Sequence, residues 1–380
     1  MTLIADPKLG YYSVGSEKYS SKIEALISAT KQNVHPTWHF NDAIWANQNW
    51  LREPETDLTK LYQLRAKQLR EKYDYLSVFF SGGSDSWNMV KSFLDSGCFI
   101  DEIITIWNRK YNRNFIADAT IIDPKNIEAE FDLTTRHGLD WIINQSPKTK
   151  ITYIDISDGV LDNFKKFDGE EWLTVSFEHL NPQFVRRWSV TQENQTRNQL
   201  DRGFRTALVY GVDKPKVCIK DNKFHVYFLD KIVNCFTGNW NDKNYSNIET
   251  EFFYWSPDCA EIVIKQSHII KRWFEQNPLL KPLLYWPGSA SSRQTYEVIT
   301  RSLIYPGWNI NTFQCAKPNL TSHMEWDAWF FEHFKDTKAY ACWNKGIEFV
   351  EANIDTRWLN YDINHALSFV GMTNGHFALE

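Results

Sequence analysis

Short apolar runs alternate with segments of helical pattern through the middle of the chain. The apolar runs have the length and character of strands buried on both faces, and they cover residues 75–80, 100–107, 151–156, 172–177 and 206–210. Helical patterns lie between them, at residues 87–94, 126–137 and 191–204. This alternation predicts an α/β fold with a doubly wound, mainly parallel five-stranded sheet and right-handed crossovers.

The segments on either side have different patterns. The first 72 residues contain a short strand with a turn, at residues 11–15, and helical stretches at residues 22–29 and 57–72. Beyond residue 230 the chain is Trp-rich and interrupted by prolines, with helices predicted at residues 258–276, 289–303, 322–334 and 337–353. We therefore predict a small N-terminal α/β extension (1–72), the unit that contains the sheet (73–230) and a helical C-terminal domain (231–380).

Composition narrows the class of protein. The 380 residues carry 42 Lys and Arg against 47 Asp and Glu, a net charge of -5, so no overall basic field attracts nucleic acid. Aromatic residues make up 16% of the chain, which suits a thick core, a partner surface or a stacking site. The six cysteines form no C-x-x-C pair, which argues against a zinc ribbon and favours a reducing compartment. Without a secretory signal or an apolar run of membrane length, a cytoplasmic protein with no membrane partner is expected.

One segment carries the chemistry of a ligand site. An apolar strand runs into Ser81-Gly82-Gly83-Ser84-Asp85-Ser86, and a helix follows. Two glycines let the backbone approach an anion closely, successive N–H groups form a nest for phosphate oxygens, and the helix N-terminus adds positive charge. Asp85 is out of place beside an anion unless a cation is present, and Mg²⁺ bridging its carboxylate to phosphate explains it. The segment therefore predicts a nucleotide site rather than a plain tight turn.

This segment resembles the SGGxDS signature of the PP-loop ATP pyrophosphatases. That superfamily includes asparagine synthase, GMP synthetase, argininosuccinate synthase, tRNA thiolation enzymes and PAPS reductase. The resemblance covers one loop, and the α/β pattern over residues 73–230 agrees with the HUP-type sheet of the superfamily. It implies that residues 81–86 hold the terminal phosphates of ATP, that a substrate is adenylated and that pyrophosphate leaves. The segment is not a Walker A loop, because Gly-Lys-Ser/Thr is missing.

A second segment follows the fifth predicted strand and contains Gly211, Asp213 and Lys214. By its position along the sheet it is similar to the Gly- and Asp-rich loop of asparagine synthases, which lies near pyrophosphate and metal. That similarity implies that Gly211 lies at the nucleotide, that Asp213 joins Asp85 on Mg²⁺ and that Lys214 neutralises charge on the α-phosphate and the leaving pyrophosphate. A glycine-containing turn with solvated charges is an equal alternative.

Other candidates have ordinary structural alternatives. Trp107 ends the second predicted strand, where either its backbone meets adenine or its ring belongs to the core. His179 is more typical of a structural histidine than of a catalytic one. Basic residues gather at Arg186, Arg187, Arg197, Arg202 and Arg205. They form either a rim for phosphates or RNA or, in the interpretation we favour, a solvated helix face with ion pairs.

The chain also departs from the superfamily. Thr2 follows Met1, where glutamine-dependent asparagine synthases carry a nucleophilic Cys, so we expect no glutamine hydrolysis. The paired cysteines common in thiolation enzymes are absent. Cys342 lies between Ala341 and Trp343 rather than in the Glu-Cys-Gly context of PAPS reductases, and we expect it to be a buried thiol.

Together these features predict an ATP-dependent adenylating ligase that releases AMP and pyrophosphate, with ATP and Mg²⁺ as cofactors and an unidentified acceptor. The aromatic content is compatible with a nucleotide or nucleic-acid acceptor, and the oligomeric state is open. Two alternatives stand: a PAPS reductase-like or sulfur-transfer enzyme that depends on Cys342, and a non-catalytic nucleotide-binding protein. The size, the aromatic content and the lack of a glutaminase are similar to stand-alone, phage-encoded members of the superfamily.

Overall fold

The N-terminal extension is a small antiparallel sheet followed by helices. The computed structural model describes residues 8–107, 134–155, 157–166, 168–175, 180, 195–230, 246–285, 290–308, 330–361 and 367–380. The first elements are β1 (Tyr11–Val14), β2 (Glu17–Tyr19), α1 (Lys22–Gln32), β3 (Thr37–His39), α2 (Asp42–Ala46) and α3 (Leu58–Lys72). Asp57 caps α3 by accepting the Lys60 N–H at 2.9 Å. The strand and both helices predicted for this region are confirmed.

A sheet of five parallel strands forms the centre of the protein. The elements of this part are β4 (Tyr75–Phe79), α4 (Ser84–Asp95), β5 (Glu102–Trp107), α5 (Arg136–Gln145), β6 (Lys150–Asp155), α6 (Ser157–Lys166), α7 (Gln195–Asp201), β7 (Thr206–Tyr210), β8 (Lys216–Lys220), β9 (Lys223–Tyr227) and β10 (Ile248–Phe252). The strand order across the sheet is β10-β7-β4-β5-β6, and every ladder is parallel. The predicted α/β class and parallel sheet are confirmed.

The strand order places a switch point beside the central strand. From β4 the chain moves through β5 to β6 on one side, and it then returns to β7 and β10 on the other side. The strands β4 and β7 are neighbours at this reversal, with Val78 opposite Val209. In open parallel sheets, ligands bind outside the carboxyl ends of the strands at such a point. The loops after β4 and β7 are therefore the first place to look for a site.

One predicted strand is wrong. Residues 172–177 were expected to form the fourth strand, but Glu170–Val175 is a 3₁₀ helix. Trp172 is buried there, and its indole N–H donates to the carbonyl oxygen of Cys342 at 3.1 Å. A short apolar run has the same periodicity in a buried strand and in a buried helical turn, so pattern alone does not separate them.

The fifth strand of the sheet comes from further along the chain. The strand β10 pairs with β7 from Ile248 opposite Thr206 to Phe252 opposite Tyr210. It lies beyond the predicted boundary at residue 230, in the segment expected to be helical, so the sheet extends past that boundary. Glu249 and Glu251 interrupt its apolar pattern, which is why the strand was not predicted.

The rest of the C-terminal segment mixes helices with short strands. Its elements are α8 (Glu261–Gln276), α9 (Pro282–Tyr285), α10 (Ala290–Ile304), α11 (Lys338–Asn353), β11 (Leu359–Tyr361), β12 (Leu367–Phe369) and β13 (Phe377–Ala378). The helices α8, α10 and α11 confirm three of the four predicted helices, and residues 330–334 are the helical end of the other. The strand β13 pairs with β9, and β11 pairs with β12, so this segment is not wholly helical. Within the described ranges, no helix combines the length and the apolar character needed to cross a membrane.

Candidate functional site

The glycine loop, residues 81–86, joins the carboxyl end of β4 to the start of α4. Gly82 has a φ of +74°, and a Cβ on it would lie 2.7 Å from the backbone N and Cα of Thr135. The Thr135 hydroxyl donates to the carbonyl oxygen of Ser81 at 2.9 Å, which ties this neighbouring segment to the loop. Both the positive φ and the close approach require glycine at position 82.

The first turn of α4 is built to leave backbone donors open. Gly83 precedes the helix in extended conformation, and its carbonyl oxygen accepts the Trp87 N–H at 2.9 Å and the Ser86 hydroxyl at 3.0 Å. Ser86 Oγ in turn accepts the backbone N–H of Ser81 at 3.3 Å. Ser84 is buried in this turn. Among the described residues, no side chain caps α4, so its N-terminal N–H groups and partial positive charge suit an anion.

The second loop, residues 211–215, packs directly on the glycine loop. It follows β7, the strand beside β4. A Cβ on Gly211 would lie 3.2 Å from the carbonyl carbon and oxygen of Asp85 and 3.3 Å from the Cα of Ser86. Contacts of that length are tighter than ordinary van der Waals packing, so glycine lets the two backbones meet. The structure therefore brings together the two segments singled out in the sequence.

Lys214 joins the two loops electrostatically. Its ammonium nitrogen lies 2.9 Å from both carboxylate oxygens of Asp85 and 3.3 Å from Asp213 Oδ1. The side chain is only 3% exposed, so the alternative of a turn with solvated charges is wrong for this lysine. Burial works to lower the pKa of Lys214, but the carboxylates of Asp85, Glu297 and Asp213 outweigh it and raise that pKa. The ammonium group is therefore charged at neutral pH.

Glu297 and Lys216 extend the group of charges, with Arg301 3.7 Å from Glu297, and none of the three was predicted. Glu297, on α10, lies 3.0 Å from the Lys214 ammonium and 2.8 Å from that of Lys216. Lys216 also reaches Asp213 Oδ2 at 3.3 Å. Burial works to raise the pKa of Glu297, but Lys214 and Lys216 outweigh it and hold this pKa well below its usual range. We call Asp85, Asp213, Lys214, Lys216 and Glu297 the loop cluster.

Two tyrosines from the C-terminal segment hold Asp85 in place. The Tyr305 hydroxyl donates to Asp85 Oδ1 at 2.5 Å, and the Tyr254 hydroxyl donates to the Asp85 carbonyl oxygen at 2.8 Å. Asn88 donates to the Tyr254 oxygen at 2.9 Å. Burial raises the pKa of Tyr305 and of Tyr254 well above the usual range, so both act as neutral donors. The sequence carried no local signal for either residue, because they are distant from the loop along the chain.

The two predicted metal ligands differ in their surroundings. Asp213 accepts the backbone N–H of Lys214 at 2.6 Å, and its carboxylate faces Lys214 and Lys216, so nothing here supports its predicted role on Mg²⁺. The Asp85 side chain is 28% exposed, and its Oδ2 contacts only the Lys214 ammonium among the described groups. Asp85 therefore fits a Mg²⁺ ion whose other ligands are phosphates and water. In the described ranges no cluster of three or more His, Cys, Asp or Glu is placed to bind a metal without such help.

The end of β5 lies beside the glycine loop, as expected. The Thr105 hydroxyl donates to the Phe80 carbonyl oxygen at 3.0 Å, and the Phe80 N–H donates to the Ile104 carbonyl oxygen at 2.9 Å. Trp107 is the last residue of β5 and pairs with Asp155 of β6. The side chain of Trp107 lies outside the described residues, so the predicted contact with adenine stays a prediction.

Two of the five basic residues considered for a phosphate rim, Arg202 and Arg205, can be placed. Arg205 precedes β7, at the amino end of the strand and therefore opposite the glycine loop, and it lies 3.7 Å from Glu249. Arg202, in the turn after α7, donates to Gln199 at 3.1 Å. Both side chains are exposed, as the favoured interpretation expects, but neither residue lies on a helix, and of the two Arg205 has the ion pair. The side chain of Arg197 and residues Arg186, Arg187 and His179 lie outside the described part of the chain.

The residue on which sulfur chemistry depends is buried in the core. Cys342 is 2% exposed, and its thiol donates to the Gly169 carbonyl oxygen at 3.2 Å. Burial raises the pKa of this thiol, which disfavours the reactive thiolate. The expectation of a buried thiol is confirmed, and no contact of Cys342 with the glycine loop is present among the described residues.

No protein-family model matches the chain, and a search of curated proteins finds no match. The function of the site therefore rests on its geometry and on the resemblance of residues 81–86.

Proposed function

We propose that this protein binds ATP at the glycine loop and adenylates an acceptor, releasing pyrophosphate, on a sheet of the PP-loop type. One observation carries the proposal: two loops meet at the switch point of a parallel sheet, with the Lys214 ammonium 2.9 Å from the Asp85 carboxylate. Such a site needs three parts: a helix start that binds an anion, a carboxylate that binds a cation and a lysine that neutralises phosphate charge.

The phosphates are held by the backbone. The uncapped N-terminal N–H groups of α4 and the exposed Ser81 offer donors to phosphate oxygens, while Gly82 lets the loop pack against Thr135. Gly211 keeps the second loop in contact with the first, which places Lys214 beside the phosphates. These groups align the α-phosphorus for attack without any change of protein covalent structure.

In the reaction, an acceptor oxygen bonds to the α-phosphorus while the bond from that phosphorus to pyrophosphate breaks. Lys214 neutralises charge that builds up on the leaving pyrophosphate. Asp85 would hold Mg²⁺, and the bound ion would supply further neutralisation of the phosphate oxygens. An amine then displaces AMP from the adenylated acceptor, so no protein nucleophile is needed. A nucleotide or nucleic acid remains compatible with the role of acceptor.

A cytoplasmic location is part of the proposal. The four cysteines in the described part of the chain, Cys98, Cys218, Cys259 and Cys342, are all free thiols. Free thiols persist in a reducing compartment.

The test is product analysis with α-labelled ATP and Mg²⁺, in the presence of pooled metabolites and nucleic acid. Asp85→Asn should lower AMP formation by about a hundredfold or more, because it removes a charged group at the reacting phosphates. Asp95→Asn, at the other end of α4, is the matched control and should leave AMP formation unchanged.

Three results would contradict the proposal. Equal AMP formation by wild type and Asp85→Asn would place the chemistry elsewhere. ATP binding without AMP in any mixture would leave a nucleotide-binding protein, and absence of ATP binding in equilibrium dialysis would remove the nucleotide site altogether.

A further inference from the structure

The ammonium group of Lys214 stands where a cation on Asp85 would stand. It contacts both oxygens of that carboxylate at 2.9 Å, whereas Asp85 is the residue of the loop cluster that fits Mg²⁺. A lysine and a divalent cation bind the same carboxylate oxygens for the same electrostatic reason. The two cations therefore exclude each other unless the lysine moves.

Lys214 has more acceptors than it has protons. An ammonium group has three donors, and this one lies within 3.3 Å of four carboxylate oxygens on Asp85, Asp213 and Glu297. If the contact with Asp85 is given up, Asp213 and Glu297 still satisfy the charge. The cost of leaving Asp85 is therefore lower than the cost of breaking an isolated buried ion pair.

The acceptors of Lys214 differ in how far they are open to solvent. The Asp85 side chain is 28% exposed, whereas those of Asp213 and Glu297 are 17% and 16% exposed. Lys216 contacts both of the less exposed carboxylates and holds them together. Exchange of cations is thus easiest at Asp85, while Asp213 and Glu297 retain the lysine.

We propose that Lys214 and a divalent cation compete for the carboxylate of Asp85, and that Asp213 and Glu297 retain the lysine when the cation takes its place. The inference rests on the proposed nucleotide site. Arrival of the metal frees one donor of the Lys214 ammonium for a phosphate oxygen, while Glu297 and Asp213 retain the other contacts. Metal and phosphate binding are therefore coupled through this one side chain.

The experiment measures binding of Mn²⁺ alone, by electron paramagnetic resonance, to Lys214→Gln and Lys216→Gln. Both variants remove one buried positive charge from the loop cluster, but only Lys214 contacts Asp85. Lys214→Gln should bind Mn²⁺ at least about tenfold more tightly than Lys216→Gln, because it alone vacates the carboxylate. Adding Asp85→Asn to Lys214→Gln should abolish the gain.

An equal gain in Mn²⁺ affinity in both lysine variants would show that only net charge matters. No gain in Mn²⁺ affinity in Lys214→Gln would show that the lysine does not block Asp85. Either result overturns the inference. If Lys214→Gln does not fold, Lys214→Met keeps the aliphatic stem and gives the same comparison. In wild type, inorganic pyrophosphate should tighten Mn²⁺ binding, and absence of that coupling also overturns it. Binding of ATP to wild type without metal tests the nucleotide site separately, so failure of the exchange is distinguishable from failure of the proposed function.

Discussion

Two networks of charged side chains on one sheet can be compared, and one of them has the features of a site. The loop cluster lies at the carboxyl ends of β4 and β7. The other, which we call the edge cluster, consists of Arg65, Lys72, Tyr73, Glu249 and Glu251 and joins α3 to the edge strand β10. In both networks two cationic side chains lie close to carboxylates, and a third, Arg205 or Arg301, lies 3.7 Å from one of them.

The side chains of the edge cluster lie on a helix and a paired strand. Arg65 is fully buried and lies 2.8 Å from Glu251, which also accepts from Lys72 at 2.7 Å and from the Tyr73 hydroxyl at 2.5 Å. Arg65 and Lys72 belong to a continuous helix, and the two glutamates belong to a paired strand. No helix begins beside these side chains, because Arg65 lies inside α3 and Lys72 is its last residue, so the cluster lacks an anion-binding helix start.

The loop cluster surrounds a break in regular structure. At residues 81–83 the chain changes from strand to helix, the helix start has no side-chain cap, and Asp85 remains partly exposed. A dense set of ion pairs is thus no sign of function by itself, since structural networks also produce strong pairs. Accessible charge does not separate the clusters either, because Glu249 is 40% and Lys72 28% exposed, as against 28% for Asp85. The difference is the uncapped helix start beside Asp85.

The largest expected effect belongs to the edge cluster and concerns stability alone. Arg65→Met should lower the free energy of unfolding by about 3–5 kcal/mol, because it leaves Glu251 buried with one partner fewer. Urea denaturation measures this, and Arg52→Met, which breaks an exposed pair with Glu55, should cost no more than about 1 kcal/mol. ATP affinity of the folded variant should equal that of wild type. A parallel loss of ATP affinity would mean that the edge cluster belongs to the site after all.

A smaller loss of stability with a selective loss of binding is expected at the glycine loop. Gly82→Ala should cost about 1–2 kcal/mol for the positive φ, with an added cost as Thr135 shifts, and should weaken ATP binding about tenfold or more. Gly97→Ala, at the other end of α4, is the matched control. Its φ is +69°, but nothing lies within 4 Å of the added Cβ. Equal ATP affinities in calorimetric titrations of the two variants would show that the loop geometry does not matter for the ligand.

The smallest expected effect is a difference between the two clusters in how stability changes at acid pH. Burial works to raise the pKa of Glu251 and of Glu297, but their cationic neighbours outweigh it. The pKa of Glu251 is therefore lowered, and that of Glu297 lies well below 4.5. A depressed pKa contributes stability above the pKa of the unfolded chain, and this contribution is lost as the pH falls through the folded pKa. Stability should therefore be steady near neutral pH and should decrease below about pH 4.5.

Glu297→Gln should remove more of the decrease in the free energy of unfolding at acid pH than Glu251→Gln does. The effect of Glu297→Gln should also extend to lower pH. Urea denaturation over a series of pH values measures both slopes. An unchanged slope in Glu297→Gln would contradict its pairing with Lys214 and Lys216 in solution.

Local sequence was enough to predict the glycine loop and its neighbour. Six consecutive residues between a strand and a helix contain the turn, the open N–H groups and Asp85. Asp213 and Lys214 were singled out through the similarity to the Gly- and Asp-rich loop of asparagine synthases, and their place beside Asp85 agrees with the rule that the carboxyl ends of parallel strands share one edge of a sheet. The contact between Lys214 and Asp85 spans 129 positions, yet it was within reach of that argument.

Other parts of the structure had no such signal. Glu297 lies on α10 among residues of amphipathic pattern, where a glutamate normally faces solvent. Tyr305 is 220 positions from Asp85. The sequence pattern of β10 is polar because of its two glutamates. The burial of this strand is tolerated because Arg65 and Lys72 face those glutamates. Residues 170–175 became a 3₁₀ helix through packing of Trp172 against α11, including the backbone at Gly346.

The sequence by itself determined the chemistry of the loop and the parallel order in which its strand is embedded, since backbone geometry and apolar periodicity act between near neighbours. Tertiary structure decided which charges meet. Ion pairs form through space and depend on burial. The pair of Lys214 with Glu297 and the pairs of the edge cluster therefore form only once α10, α3 and β10 have packed against the sheet.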